Sequence, residues 1–227
     1  MALFFQIAMP IAILILIFFI LSKHNRSISM LDEQWPLLAK KLNMELIRPD
    51  GNLNTINWIL AKYYKIEGNL DNIPFVTYMK EYGSTKHRKV GTNIDFKIPA
   101  SSNTIFKFRR NGFMAQVIDS KEEQIVPTGN EDFDKKYLLI SNKESFCKQL
   151  ASQPEFQSFV SKYFSKTSTE EMLLDKEGIG FGLYLDKEGV LTFSSSFKLE
   201  SDEDRQNWIK TIQEFLALAK KVQQIQA

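Results

Sequence analysis

The chain has 227 residues, with 29 Lys plus Arg against 27 Asp plus Glu, one cysteine and two histidines. Two of the positive charges, Lys23 and Arg26, fall in an acid-free stretch of residues 1–26, so the remainder is formally neutral and lacks the basic surplus that neutralises phosphates in a nucleic-acid binder. Cys147 alone forms no internal disulfide, and with two histidines it cannot complete a structural zinc site.

Residues 2–22, ALFFQIAMPIAILILIFFILS, contain no charged side chain and match in length the roughly 20 helical residues that cross a bilayer core. A cleaved signal fits less well, since no Lys or Arg precedes the run and the run exceeds a normal signal core. The sequence therefore predicts a single-pass, uncleaved signal-anchor, with residues 1–26 as transmembrane helix and basic flank. Lys23 and Arg26 follow the apolar run, which places the N-terminus outside and the rest of the chain in the cytoplasm, at the inner membrane if the source is bacterial. The expected partner of residues 2–22 is membrane lipid.

Beyond the anchor, Leu31, Trp35, Leu38 and Leu42 share a helical face, Asn43 suits a left-handed C-cap, and Pro36 moves the expected helix start to about Glu33. After Met44 to Ile47 and a turn at Pro49-Asp50-Gly51, strands are expected at Ala61 to Leu70, Ile73 to Tyr82, Thr92 to Ile98 and Thr104 to Arg110. Asp71-Asn72 joins the first two. Ile94, Phe96 and Ile98 alternate on one face, as do the apolar residues of Ile105 to Phe108, and the economical arrangement is an antiparallel meander.

A further strand is expected at Lys136 to Ser141, then helical sequence from Lys143 to Phe164 broken by Pro154. A hairpin follows, Gly180 to Leu185 and Val190 to Phe197 around Asp186-Lys187-Glu188-Gly189. The closing helix is opened by Ser201 with Asp204 three residues on, and buries Trp208, Ile212, Phe215, Ala219 and Val222. The expected fold class is α+β: an N-terminal transmembrane helix followed by antiparallel sheet units backed by amphipathic helices. Residues 27–125 form a helix plus meander and 126–227 a second α+β unit, with 27–227 as one domain the alternative.

Few residues carry a chemical signature. Gly178, Gly180 and Gly182 lack nucleotide-loop spacing and read as strand glycines. Asn130, Asp132 and Asp134 have calcium-loop spacing, but Lys135 stands where glycine is required and Ser141 where a bidentate Glu belongs, so a turn before a strand is expected and no metal. No nucleophile–base motif is present, and Glu122-Glu123 and Glu170-Glu171 read as solvated carboxylates. The densest basic run, Lys86, Arg88 and Lys89 around His87, together with Arg109 and Arg110, is the candidate contact for anionic lipid headgroups, each cation contributing about 1 kcal/mol near such a surface.

Pro127-Thr128-Gly129-Asn130-Glu131-Asp132-Phe133-Asp134, followed by the strand ending Ile140-Ser141, resembles a T-G-x-x-x-F-D phrase of bacterial single-pass membrane-anchored proteins of uncharacterised activity. Ser201 to Trp208 is similar to the closing helix of a pleckstrin-homology domain, although the helical stretch from Lys143 to Phe164 interrupts the strands that should precede it. The resemblances imply no catalytic residue and no cofactor. The functional expectation is a membrane-anchored, non-enzymatic interaction or scaffold domain with an unidentified protein partner or a second copy of itself. Binding of anionic lipid headgroups, and an enzyme assembled from distant strands, are the alternatives.

Overall fold

The computed structural model describes residues 15–16, 30–48, 64–82, 89–99, 103–111, 122–164 and 182–226. The first long described helix, α1, covers 30–42 and turns Trp35, Leu38 and Ala39 into the core. Pro36 lies inside it, so the helix begins earlier than the expected start at Glu33. Burial of the flanking Trp35 and Leu38 offsets the backbone hydrogen bond that proline cannot donate. At the other end Asn43 has φ +55°, its N–H bonds Lys40 O at 3.2 Å, and Met44 N–H bonds Ala39 O at 3.0 Å. These two bonds form the Schellman cap that the asparagine predicts.

Among the described residues nine strands follow: β1 Glu45–Ile47, β2 Lys65–Leu70, β3 Ile73–Tyr82, β4 Lys89–Lys97, β5 Phe106–Arg110, β6 Gln124–Ile125, β7 Tyr137–Ser141, β8 Gly182–Leu185 and β9 Val190–Ser195. They form one antiparallel sheet in the order β1-β2-β3-β4-β9-β8-β5-β7-β6. Asp71 and Asn72, at φ +49° and +65°, close the β2–β3 hairpin as a two-residue turn with both central residues left-handed, which matches the strand twist. The meander is realised over β2, β3 and β4 and then breaks, because the β8–β9 hairpin stands between β4 and β5. Ile94 pairs with Phe193, and Phe108 with Leu183. Alternation specifies which face a side chain takes, and leaves the neighbouring strand open.

The hairpin itself is as expected. Asp186 Oδ1 accepts from Glu188 N at 2.9 Å and Val190 N at 2.8 Å, and Gly189 takes φ +80°, a conformation without penalty only for glycine. Between β6 and β7 lies the short helix α2, Glu131–Asp134; α3, Glu144–Ala151, and α4, Pro154–Phe164, are separated where Pro154 starts a new helix. The long α5, Asp202–Gln226, is capped by Ser201, whose Oγ accepts from Asp204 N at 3.1 Å while Asp204 Oδ2 accepts from Glu200 N at 3.2 Å.

Helices α1, α3, α4 and α5 share one apolar core with one face of the sheet. Phe96 meets Phe215 at 5.5 Å between ring centroids, Phe193 meets Phe159 at 5.0 Å, and Phe106 and Phe108 meet Phe156 edge-on. Such offset and edge-to-face contacts are the favoured aromatic geometries. The coarse α+β prediction holds.

The membrane part of that prediction does not. Among the described residues no helix is long and apolar enough to cross a membrane. At 25 residues α5 reaches about 38 Å, but it carries Asp202, Glu203, Asp204, Lys220 and Lys221 and buries only one stripe. Residues 2–22 lie outside the described residues except for Ile15 and Leu16, as do Lys23 and Arg26. The transmembrane, signal-anchor and single-pass assignments, and the localisation built on them, are therefore withdrawn.

Candidate functional site

Strand side chains alternate, so the residues between the core phenylalanines and isoleucines project from the opposite face of the sheet. That second face is polar at its centre. Asp95, Thr192, Tyr184 and Lys107 occupy cross-strand partner positions on β4, β9, β8 and β5. Tyr78, Asn93, Ser194 and Gly182 form the adjoining row over β3, β4, β9 and β8. Asn93 Nδ2 donates to the Tyr78 hydroxyl at 3.2 Å. Lys107 Nζ ends the first row by donating to both Glu123 carboxylate oxygens at 2.9 Å. Glu123 is therefore a buried ion-pair partner, against the solvated carboxylate that its polar neighbourhood predicts.

Burial is the dominant influence on Asp95 and pushes its carboxyl up to about 6. The Thr192 and Tyr78 hydroxyls and the Lys80 ammonium act against that rise, and Asp186 reinforces it. Asp95 Oδ1 is enclosed without a hydrogen-bond partner. Ser194 Oγ is likewise enclosed, beside the Tyr184 phenol but without a hydrogen bond of good geometry. Burial, aided by the Asp95 charge, raises the Tyr184 phenol. The site thus joins a proton-exchanging carboxyl near neutrality to hydroxyl groups that both donate and accept.

Of the lipid-contact candidates, Lys86 and Arg88 lie outside the described residues. Lys89 opens β4 opposite Tyr82, whereas Arg109 and Arg110 lie on β5 opposite Leu138 and Tyr137. Strands β9 and β8 separate β4 from β5, so the fold does not place these two groups on adjacent strands. Asn130 caps α2 by accepting from Phe133 N at 3.2 Å. Asp134 accepts from Thr128 N at 3.0 Å and Thr128 Oγ1 at 2.8 Å, so the calcium-like spacing serves a turn. Among the described residues no group of three or more His, Cys, Asp or Glu could hold a metal ion. Desolvation pushes the buried Cys147 thiol up to about 12, which removes it as a nucleophile near neutral pH. Glu170, Glu171, Gly178 and Gly180 lie outside the described residues.

The sequence reading missed this second face. Its signal lay in the complement of the apolar alternation: Asn93 and Asp95 between Ile94 and Phe96, and Thr192 and Ser194 around Phe193. A charged carboxylate between two core residues at a central strand is unusual, and the pairing that brings β9 beside β4 was needed to see it as a cluster.

No family model matches the chain, and no curated protein matches it. Its fold is similar to the crystal structure of the mycobacterial trehalose monomycolate transport factor A, TtfA, with TM-score 0.50 and 9% sequence identity over 83% of this chain and 93% of that one. At that identity the likeness concerns the fold alone.

Proposed function

We propose that the chain is a non-enzymatic interaction domain whose working surface is the polar second face of the sheet. The observation that carries this reading is the group of half-buried polar side chains Tyr78, Asp95 and Tyr184 that β3, β4 and β8 bring to the middle of that face, around the enclosed Asp95 Oδ1 and Ser194 Oγ. A buried polar atom left unpaired costs about 1–3 kcal/mol, and native folds keep few of them, so two on one face favour a working role for it over a purely structural one. The test is native mass spectrometry of the full chain isolated without denaturation. The expected result is a bound species that disappears in an Asp95→Ala, Tyr184→Ala variant of wild-type circular dichroism. A bare monomer, or a species retained by that variant, overturns the reading.

One observation favours a second reading. A carboxyl held near pH 6 beside a phenol is suited to general acid–base work. Chemical change of the bound species on incubation with wild-type protein, absent with Asp95→Asn, would select an enzyme.

A further inference from the structure

We propose that Asn111 is a site of spontaneous deamidation, and that its conversion to aspartate and isoaspartate loosens the corner where the end of β5 holds the end of α2. The sequence supplies the chemistry. Asn111 is the one asparagine of the chain that glycine follows, at position 112. A glycine has no Cβ to shield its peptide nitrogen. Once a base has taken its proton, that nitrogen bonds to Cγ of Asn111 while Nδ2 leaves as ammonia, and a five-membered succinimide results. Water then cleaves one of the two ring C–N bonds, giving aspartate at the side-chain carbonyl or isoaspartate at the main-chain carbonyl. One water is consumed and one ammonia released, with no change of oxidation state.

Asn111 is half-buried and its amide is loosely held. Nδ2 donates to Asp134 O and Lys135 O at 3.4 Å each, longer than the roughly 2.7–3.2 Å of a firm bond. Other asparagines are worse placed to react. Asn142 Nδ2 is fixed on Asn103 O and its Oδ1 on Ile105 N, both at 2.8 Å, and Lys143 follows. Asn93 is fully buried and precedes the branched Ile94.

The contacts of Asn111 define what the reaction undoes. Its backbone N–H donates to Lys136 O at 2.7 Å, one step beyond the Arg110–Tyr137 pair. The residue thus meets three successive carbonyls, those of Asp134, Lys135 and Lys136, where α2 gives way to β7. Carbonyls of a helix's last turn lack partners within the helix, and the Asn111 amide serves two of them. A carboxylate only accepts, so after conversion it faces those oxygens with repulsion in place of two bonds. Isoaspartate also adds a methylene to the main chain and takes residue 111 out of register with Lys136.

The experiment incubates the native full chain in warm, mildly alkaline buffer and follows proteolytic peptides that span residue 111, by tandem mass spectrometry that separates aspartyl from isoaspartyl forms. The expected result is the mass gain of amide-to-acid conversion at Asn111 before any other asparagine, with both forms present, and its loss in Gly112→Ala. Asn111→Asp should melt at a lower temperature than wild type and shift the amide signals of Asp134, Lys135 and Lys136. Conversion of Asn111 only after unfolding in urea, or no faster than at other asparagines, overturns the site, and equal conversion in Gly112→Ala overturns the route. An Asn111→Asp chain with the melt and amide spectrum of wild type overturns the consequence.

Discussion

Thr77 is a polar residue on the apolar face of a central strand, and its two hydrogen bonds explain why it is tolerated there. It accepts from Trp208 Nε1 at 3.1 Å and donates to Asn93 O at 2.7 Å, tying α5 to the sheet through the core. Thr77→Val keeps the shape and strands the indole N–H, so a loss of about 1–3 kcal/mol is expected in urea unfolding, with Thr77→Ser retaining most of the stability. On the second face, Asp95 makes stability depend on pH in a defined direction. Its carboxyl rises from 3.8 to about 6 on folding, so the folded state holds the proton more tightly than the unfolded chain. The associated stabilisation is fully present below about pH 4, is lost as pH rises through about 6, and is on the order of 3 kcal/mol. The difference in unfolding free energy between wild type and Asp95→Asn should therefore change across that window and be level above it. A constant difference from pH 4 to 7 would mean that the burial of Asp95 leaves its ionisation undisturbed.

Single elements were more legible than single residues, for a physical reason. The Asn43 cap, the Asp71-Asn72 turn, the Asp186 to Gly189 hairpin and the Ser201–Asp204 cap are all local, closed within four or five residues, and each appears where its turn or cap chemistry requires. The start of α1 was not legible, because the helix-breaking tendency of Pro36 is overridden by tertiary packing that no local pattern records. Two expectations follow. Ser201→Ala should destabilise by roughly 1 kcal/mol, since Ser201 Oγ both accepts from Asp204 N and donates to the Asp204 carboxylate. Pro36→Ala should stabilise by on the order of 1 kcal/mol, restoring a helical N–H at a half-buried position, and thermal melts of the two variants should move in opposite directions.

At the scale of the molecule, strand order is the property that local pattern could not supply, and it determines what can fold alone. The sequence suggests a unit ending near residue 125, yet among the described residues β5 pairs with β7 and β8, and β4 takes β9 as its second neighbour. All three partners come from the C-terminal half. The same arrangement assembles the candidate site, since Asp95 comes from β4 but Thr192 and Ser194 come from β9 and Tyr184 from β8. In a fragment of residues 27–125, β5 would lose both of its neighbours, and β4 would expose a row of unpaired backbone groups together with the core face that Phe193, Phe215 and Trp208 cover. Unpaired strand edges with apolar faces aggregate or remain unfolded. The fragment should therefore give a collapsed amide spectrum and no cooperative melt, whereas 27–227 should melt in a single transition. A dispersed spectrum and a cooperative melt for 27–125 alone would show that the first segment holds its own core and that β8, β9 and α5 merely dock onto it, which would recast the Asp95 cluster as an interface between two units.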